Sequence, residues 1–199
     1  MKNKLATFAL SALLAAPVWA VNVDQGVEQF KKHQYTQAES SLAGTPDDDV
    51  RGQLTLAHTL AANKKFNEAN AAVSKAQAAG AGEAQIKTAK AAVLIGQRDV
   101  AGAQKLVNEA IAADPNCAEA YSYRGQIRIN NKDFQGAAAD LEKAIELDPS
   151  QPYNHYYAGM AYNGLKRPDK MVEHLQTFVK MAPDSPDADK VQSLLRAFR

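Results

Sequence analysis

One cysteine, Cys117, occurs in the whole sequence. No disulfide can close within the chain, so packing rather than cross-linking must hold the fold. Cys117 reads either as a tolerated loop residue or as a thiol that pairs with another chain in an oxidising compartment. A G-x-S-x-G nucleophile turn, a glycine-rich phosphate loop and a cysteine beside an activating group are also missing, and with them the signatures of the chemistries they serve. The four histidines, His33, His58, His155 and His174, are scattered, with no pair at the close spacing of a helical metal site. Each reads as a surface or core histidine. Asp47-Asp48-Asp49 is a small acidic run, but carboxylates just before a helix cap it and favour its positive end more readily than they bind calcium. No metal, no cofactor and no catalytic residue is expected, and the enzyme class is the weakest of the readings.

An excess of charge of either sign is lacking too. Lys and Arg number 23 against 22 Asp and Glu, so bulk charge attracts neither nucleic acid nor an anionic membrane. Beyond the N-terminal stretch no segment is long and apolar enough to span a bilayer, which takes about 20 residues.

That N-terminal stretch, "MKNKLATFALSALLAAPVWA", holds two lysines, an apolar run from Leu5 to Val18, and Ala20 as a small residue before Val21. The layout is that of a secretory signal peptide, residues 1–20, cleaved after Ala20. A retained membrane anchor is the rival, but the run is short for a span and is interrupted by Pro17. No cysteine follows it, so the attachment residue of a bacterial lipoprotein is missing. Loss of Lys2 and Lys4 lowers the basic count from 23 to 21 against 22 acidic residues, a formal net charge of −1. A periplasmic or secreted chain is expected.

What the sequence does contain is periodicity. Asp114-Pro115, Asp148-Pro149 and Ala182-Pro183 recur every 34 residues. Within that frame small residues return at the eighth position (Ala57, Ala91, Gly125, Gly159) and the twentieth (Ala69, Ala103, Ala137). Helices approach closely only where side chains are small, so these columns mark helix crossings. Each period holds two apolar helical patterns split by a turn such as Asn131-Lys132-Asp133, with proline after the second.

In this frame "AEAYSYRGQIRINNKDFQGAAADLEKAIELDP", Ala118 to Pro149, resembles a tetratricopeptide repeat, whose signature it meets with Tyr121, Gly125, Ala137, Leu141 and Pro149. Four units follow, at 50–83, 84–117, 118–151 and 152–185. Before them, 21–49 reads as a degenerate first unit cut short by Gly44-Thr45-Pro46, and 186–199 as a capping helix carrying Val191, Leu194, Leu195 and Phe198. The resemblance implies an all-α fold, a right-handed α-solenoid of stacked helix-turn-helix units. Three features depart from it: Arg124 and Arg128 stand in apolar columns and are expected to keep their charge in water, Lys87 replaces a large aromatic residue, and Met171 and Phe178 replace alanines, where they can meet the last helix.

An α-helix turns about 100° per residue. On the helix from Pro152, His155, Ala158, Gly159 and Tyr162 then share the packing face, while Tyr153, Tyr156, Tyr157, Met160 and Asn163 lie opposite. The resemblance makes that opposite face the wall of a concave groove. The same columns upstream give Tyr123, Gln126 and Asn130, then Thr88, Ala89 and Ala92, then Thr55 and His58. The groove is expected to be small and neutral in its first half, and aromatic with amides in its second. It lacks the Lys, Asn and Arg set with which some relatives clamp a peptide carboxylate. Tyrosines on a concave face suit protein contacts, although packing between adjacent helices remains an alternative for them. The leading reading is a protein- or peptide-binding adaptor or scaffold of the bacterial envelope. The other is a self-associating structural subunit of a pilus, secretion or envelope-assembly complex, a homo-oligomer joined through its aromatic end or Cys117. If the leader is cleaved as read, intact-mass spectrometry of the protein from the envelope fraction finds a chain that starts at Val21; a retained Met1 removes the export reading.

Overall fold

The chain reverses direction five times at one kind of turn. His33, Lys64, Arg98, Lys132 and Lys166 all take left-handed backbone, with φ between 56° and 67°. After each, the next N–H reaches back to a carbonyl five residues earlier: Gln34 to Gln29, Lys65 to Leu60, Asp99 to Leu94, Asp133 to Arg128 and Arg167 to Tyr162, at 2.8–2.9 Å. This Schellman closure satisfies carbonyls that a helix end leaves open. The following helix starts at once: Asp99 and Asp133 each accept the N–H of a glycine three residues on, Gly102 and Gly136, at 2.9 Å. Asp49, the last residue of the acidic run, caps Gly52 in the same way.

The computed structural model describes residues 21–198, which form eleven α-helices and no strand. The expected leader, residues 1–20, lies outside the described residues. The helices pair as α1 (Val23–Lys31) with α2 (Tyr35–Leu42), α3 (Val50–Ala62) with α4 (Phe66–Ala78), α5 (Glu83–Gly96) with α6 (Val100–Ala113), α7 (Ala118–Asn130) with α8 (Phe134–Leu147), and α9 (Pro152–Gly164) with α10 (Pro168–Met181). A single helix, α11 (Ala188–Arg196), ends the stack. First helices touch in succession, α1 to α3, α3 to α5, α5 to α7 and α7 to α9, and so form the inner layer of an all-helical solenoid.

Inside each pair the two helices cross at a size-matched contact. A Cβ added at Gly26, Gly125 or Gly159 would stand 2.5–2.7 Å from the side chain of Leu42, Leu141 or Leu175. In the other two pairs the corresponding residues are Ala57 with Val73 and Ala91 with Val107, all buried. Glycine therefore faces leucine, and alanine faces valine. What one side chain gains the other gives up, and interaxial distance is held nearly constant.

The three departures from the repeat pattern have structural explanations. Arg124 and Arg128 do not keep their charge in water. Both end on the carboxylate of Asp140, which is 4% exposed: Arg124 Nε and Nη2 donate at 2.8 and 2.7 Å, and Arg128 Nη1 at 2.8 Å. A buried carboxylate needs such partners, and α8 carries it on its inner face. Lys87 reaches Glu83 at 2.8 Å and Glu109 at 3.1 Å. Met171 and Phe178 share one buried cluster with Val191 and Leu195 of α11.

The first pair is the short one. Its α2 stops at Leu42, and the side chain of Gln53 donates to the carbonyls of Thr45 and Pro46, holding the Gly44-Thr45-Pro46 link against α3. The turn of this pair then meets the far end of the chain. Lys32 Nζ lies 3.0 Å from the Asp184 carboxylate, Gln34 donates to the Asp184 carbonyl at 3.0 Å, and Lys31 donates to Ser150 at 3.1 Å. The solenoid is thus closed on itself. For the size-matched crossing, Gly125→Ala is expected to destabilise by about 1–3 kcal/mol through overpacking. Adding Leu141→Val recreates the Ala–Val pairing of the second and third pairs and should recover part of that loss, as measured by urea unfolding.

Candidate functional site

The concave columns of the first half do not form an open groove. Thr55, Ala89 and Ala92 are only 8%, 0% and 6% exposed, so the small, neutral stretch expected to face a ligand is packed. Small side chains let the inner helices draw together, and larger residues from the neighbouring pairs fill the axis. Tyr123 packs on Leu54, Ala89 and their neighbours. His58, 3% exposed, stacks on Tyr123 at 17° between planes, accepts or donates one bond with the tyrosine hydroxyl at 2.9 Å, and meets Phe30 at 5.8 Å between centroids. Its Nε2 has no hydrogen-bond partner and lies 3.6 Å from Glu119. Burial holds the His58 pKa below its usual value.

What remains is a cleft of about 90 Å³ between the turn of the first pair and helices α7 and α9. Phe30, His33 and Tyr35 form one wall, and Tyr123, Tyr153 and Tyr157 the other, with Ser122, Gln126 and Asn154 between them. The imidazole of His33 lies face to face with the ring of Tyr153, centroids 3.2 Å apart and planes 13° apart. The left-handed turn residue is therefore also the contact that closes the solenoid. Tyr153 is only 5% exposed and donates to Asp187 at 2.7 Å. It is not the open groove tyrosine the helical wheel suggests, and its loss would cost packing. Burial raises the pKa values of Tyr35, Tyr123 and Tyr157, so all three phenols are neutral donors at ordinary pH.

Of the eight residues expected to line the groove, Tyr123, Gln126, Tyr153 and Tyr157 border this cleft. Tyr156 packs beside it against Phe178 and Tyr153, at 5.3 and 5.5 Å between centroids. Met160 is half-buried outside the cleft lining, and Asn130 and Asn163 are exposed near the ends of α7 and α9. The residues the wheel misses are Phe30, His33 and Tyr35, whose side chains arrive only because the two ends of the chain meet.

The opposite face of α9 brings together two histidines that the sequence separates. His155 Nδ1 lies 3.1 Å from His174 Nδ1, and His174 Nε2 lies 3.1 Å from Glu142, which also accepts from Tyr162 at 2.9 Å. A carboxylate only accepts, so His174 carries its proton on Nε2 and takes the His155 proton on Nδ1. The chain of bonds ties α9 to α10 and α8. Among the described residues no group of three or more His, Cys, Asp or Glu is arranged to hold a metal ion, and no helix is long and apolar enough to cross a membrane. Cys117 is 9% exposed and packs against Ala84, Ala110 and Ala120.

Family models for the tetratricopeptide repeat match residues 88–152 and 153–185. No curated protein matches the chain in sequence. Among solved structures, TTC0263, a thermophilic TPR protein of Thermus thermophilus, aligns with a TM-score of 0.64 at 17% identity, over 87% of this chain and 97% of its own. YrrB, described as a TPR protein with an unusual peptide-binding site, aligns with a TM-score of 0.53 at 17% identity, over 86% of this chain and 90% of its own. The first TPR of Spaghetti (RPAP3), solved with an HSP90 peptide, aligns at 0.54 and 18% identity, over 58% of this chain and 93% of its own. Identities this low speak for the fold alone.

Burial of the closing histidine gives the fold a pH dependence. The pKa of His33 falls from 6.5 to about 3 through desolvation. The unfolded chain therefore takes up a proton that the folded chain refuses, and stability drops as pH falls from 6.5 towards 3. His58 and His155 are lowered in the same sense. His33→Asn, which tolerates the left-handed backbone, is expected to flatten part of that slope in thermal unfolding scans between pH 7 and 4. An unchanged slope would count against a desolvated, neutral His33.

Proposed function

Because the chain belongs to the tetratricopeptide-repeat family, we propose that it is a non-enzymatic adaptor exported to the bacterial cell envelope, holding a protein or an extended peptide at the aromatic cleft between its first and last helical pairs. The observation that carries this reading is the cleft itself. It gathers tyrosine rings from three different helices, α2, α7 and α9, around a space that none of them fills. Tyrosine offers large rigid area and a hydroxyl at low entropic cost, the composition of a protein-contact surface. A peptide-binding site in YrrB, a protein of the same fold, supports the assignment. Export rests on the leader-like first 20 residues of the sequence.

A second reading, self-association, is favoured by the end of the stack. Leu194 on α11 is 39% exposed and Phe198, just beyond that helix, 51% exposed. Two copies meeting there would cover both.

A photoreactive residue at Tyr157, activated in the intact envelope, is expected to give one major adduct, and the same residue at exposed Ala101 on α6 none. Absence of any Tyr157 adduct removes the cleft as the working surface. Light scattering separates the second reading: a dimer that Phe198→Ser dissociates supports it, and a monomer at all concentrations, with or without reductant, removes it.

A further inference from the structure

Resting on the reading of the cleft as a peptide site, we propose that its ligand is an uncharged, proline-rich segment in the polyproline II conformation, one pyrrolidine ring seated among the tyrosines. Four observations select that chemistry.

The lining is largely aromatic: Phe30, Tyr35, Tyr123, Tyr153 and Tyr157. The space between them is about 90 Å³. A small aliphatic ring fits a space of that size.

Charge is balanced at the site. Its ammonium, Lys31, is engaged with Glu28 at 3.2 Å and Ser150 at 3.1 Å, and its carboxylate, Glu119, stands 3.6 Å from His58. Neither an acidic nor a basic peptide is selected.

Hydrogen-bonding groups at the cleft are left over. Asn154 borders the cleft, and among the described residues its side-chain amide makes no hydrogen bond, so it stays open to whatever enters. The hydroxyls of Tyr35 and Tyr157 also have no partner among the described residues, whereas those of Tyr123 and Tyr153 do. Each of these groups can donate to a ligand carbonyl in place of water. Polyproline II fits this need, because its backbone makes no internal hydrogen bonds and leaves every carbonyl free to accept. Proline has no N–H of its own to satisfy, and a preformed helix loses little entropy on docking into an aromatic-lined groove.

The test titrates the full mature chain with end-capped hexaproline by calorimetry, beside capped hexamers of alanine-serine, lysine-alanine and glutamate-alanine. Saturable binding of hexaproline alone is expected, weakened about tenfold or more by Tyr157→Phe and by Asn154→Ala. Both variants remove groups that have no protein partner, so their thermal midpoints should stay near that of the parent; if Asn154→Ala unfolds, Tyr157→Phe carries the test. Equal binding of the alanine-serine hexamer, preference for a charged hexamer, undiminished binding by Tyr157→Phe, or no hexaproline binding at all each overturns the proposal. In the last case a Tyr157 photo-adduct in the envelope keeps the peptide-site reading and loses only the ligand class; without the adduct both fall.

Discussion

Everything in this molecule depends on how closely two helices approach within one turn-linked pair. Where the first helix presents glycine, as at Gly125 and Gly159, the second inserts leucine, Leu141 and Leu175. Where it presents alanine, as at Ala57 and Ala91, the second inserts valine, Val73 and Val107. Summed volume at the crossing is nearly conserved, so each pair has nearly the same thickness. In a stack whose units touch only their neighbours, a constant thickness is what gives a regular superhelix. An error of one methylene at a crossing would change the thickness of that pair and so displace every unit beyond it.

The radius of that superhelix follows from a different column. Thr55, Ala89 and Ala92 point inward and are small, so α3, α5 and α7 close around the axis until Tyr123, His58 and Phe30 plug it. Tight curvature then carries the turn of the first pair onto α9, where His33 meets Tyr153. The same small residues that seemed to promise a roomy groove are the reason most of it is gone. The aromatic cleft is the part of the concave face that closure did not consume.

The solenoid was legible because its cause is local and periodic. Prolines at 115, 149 and 183, and small residues at fixed columns, report helix ends and crossings directly. The Asp140 triad left a weaker trace: two arginines in apolar columns, and an acid on the inner face of the next helix. The site was legible only in part. A helical wheel shows that Tyr153 and Tyr157 share a face, but not that His33, 120 residues before Tyr153, will lie on it. That contact depends on the sum of several crossing angles, a quantity no single window of sequence contains. For the same reason the two histidines His155 and His174 looked scattered while the fold joins them.

Closure also limits how a partner can enter. The His33–Tyr153 stack contributes about 0.5–1.5 kcal/mol, and the exposed Lys32–Asp184 pair adds about 0.2–1 kcal/mol. With the few bonds beside them the clasp amounts to a few kcal/mol, which leaves an open form at roughly the per cent level. A ligand that needs the open form would lose about a hundredfold in apparent affinity. One thin enough to slide between the rings with the clasp shut loses nothing. The closed solenoid therefore discriminates by cross-section before it discriminates by sequence, and a narrow, extended, preformed chain is the shape it favours.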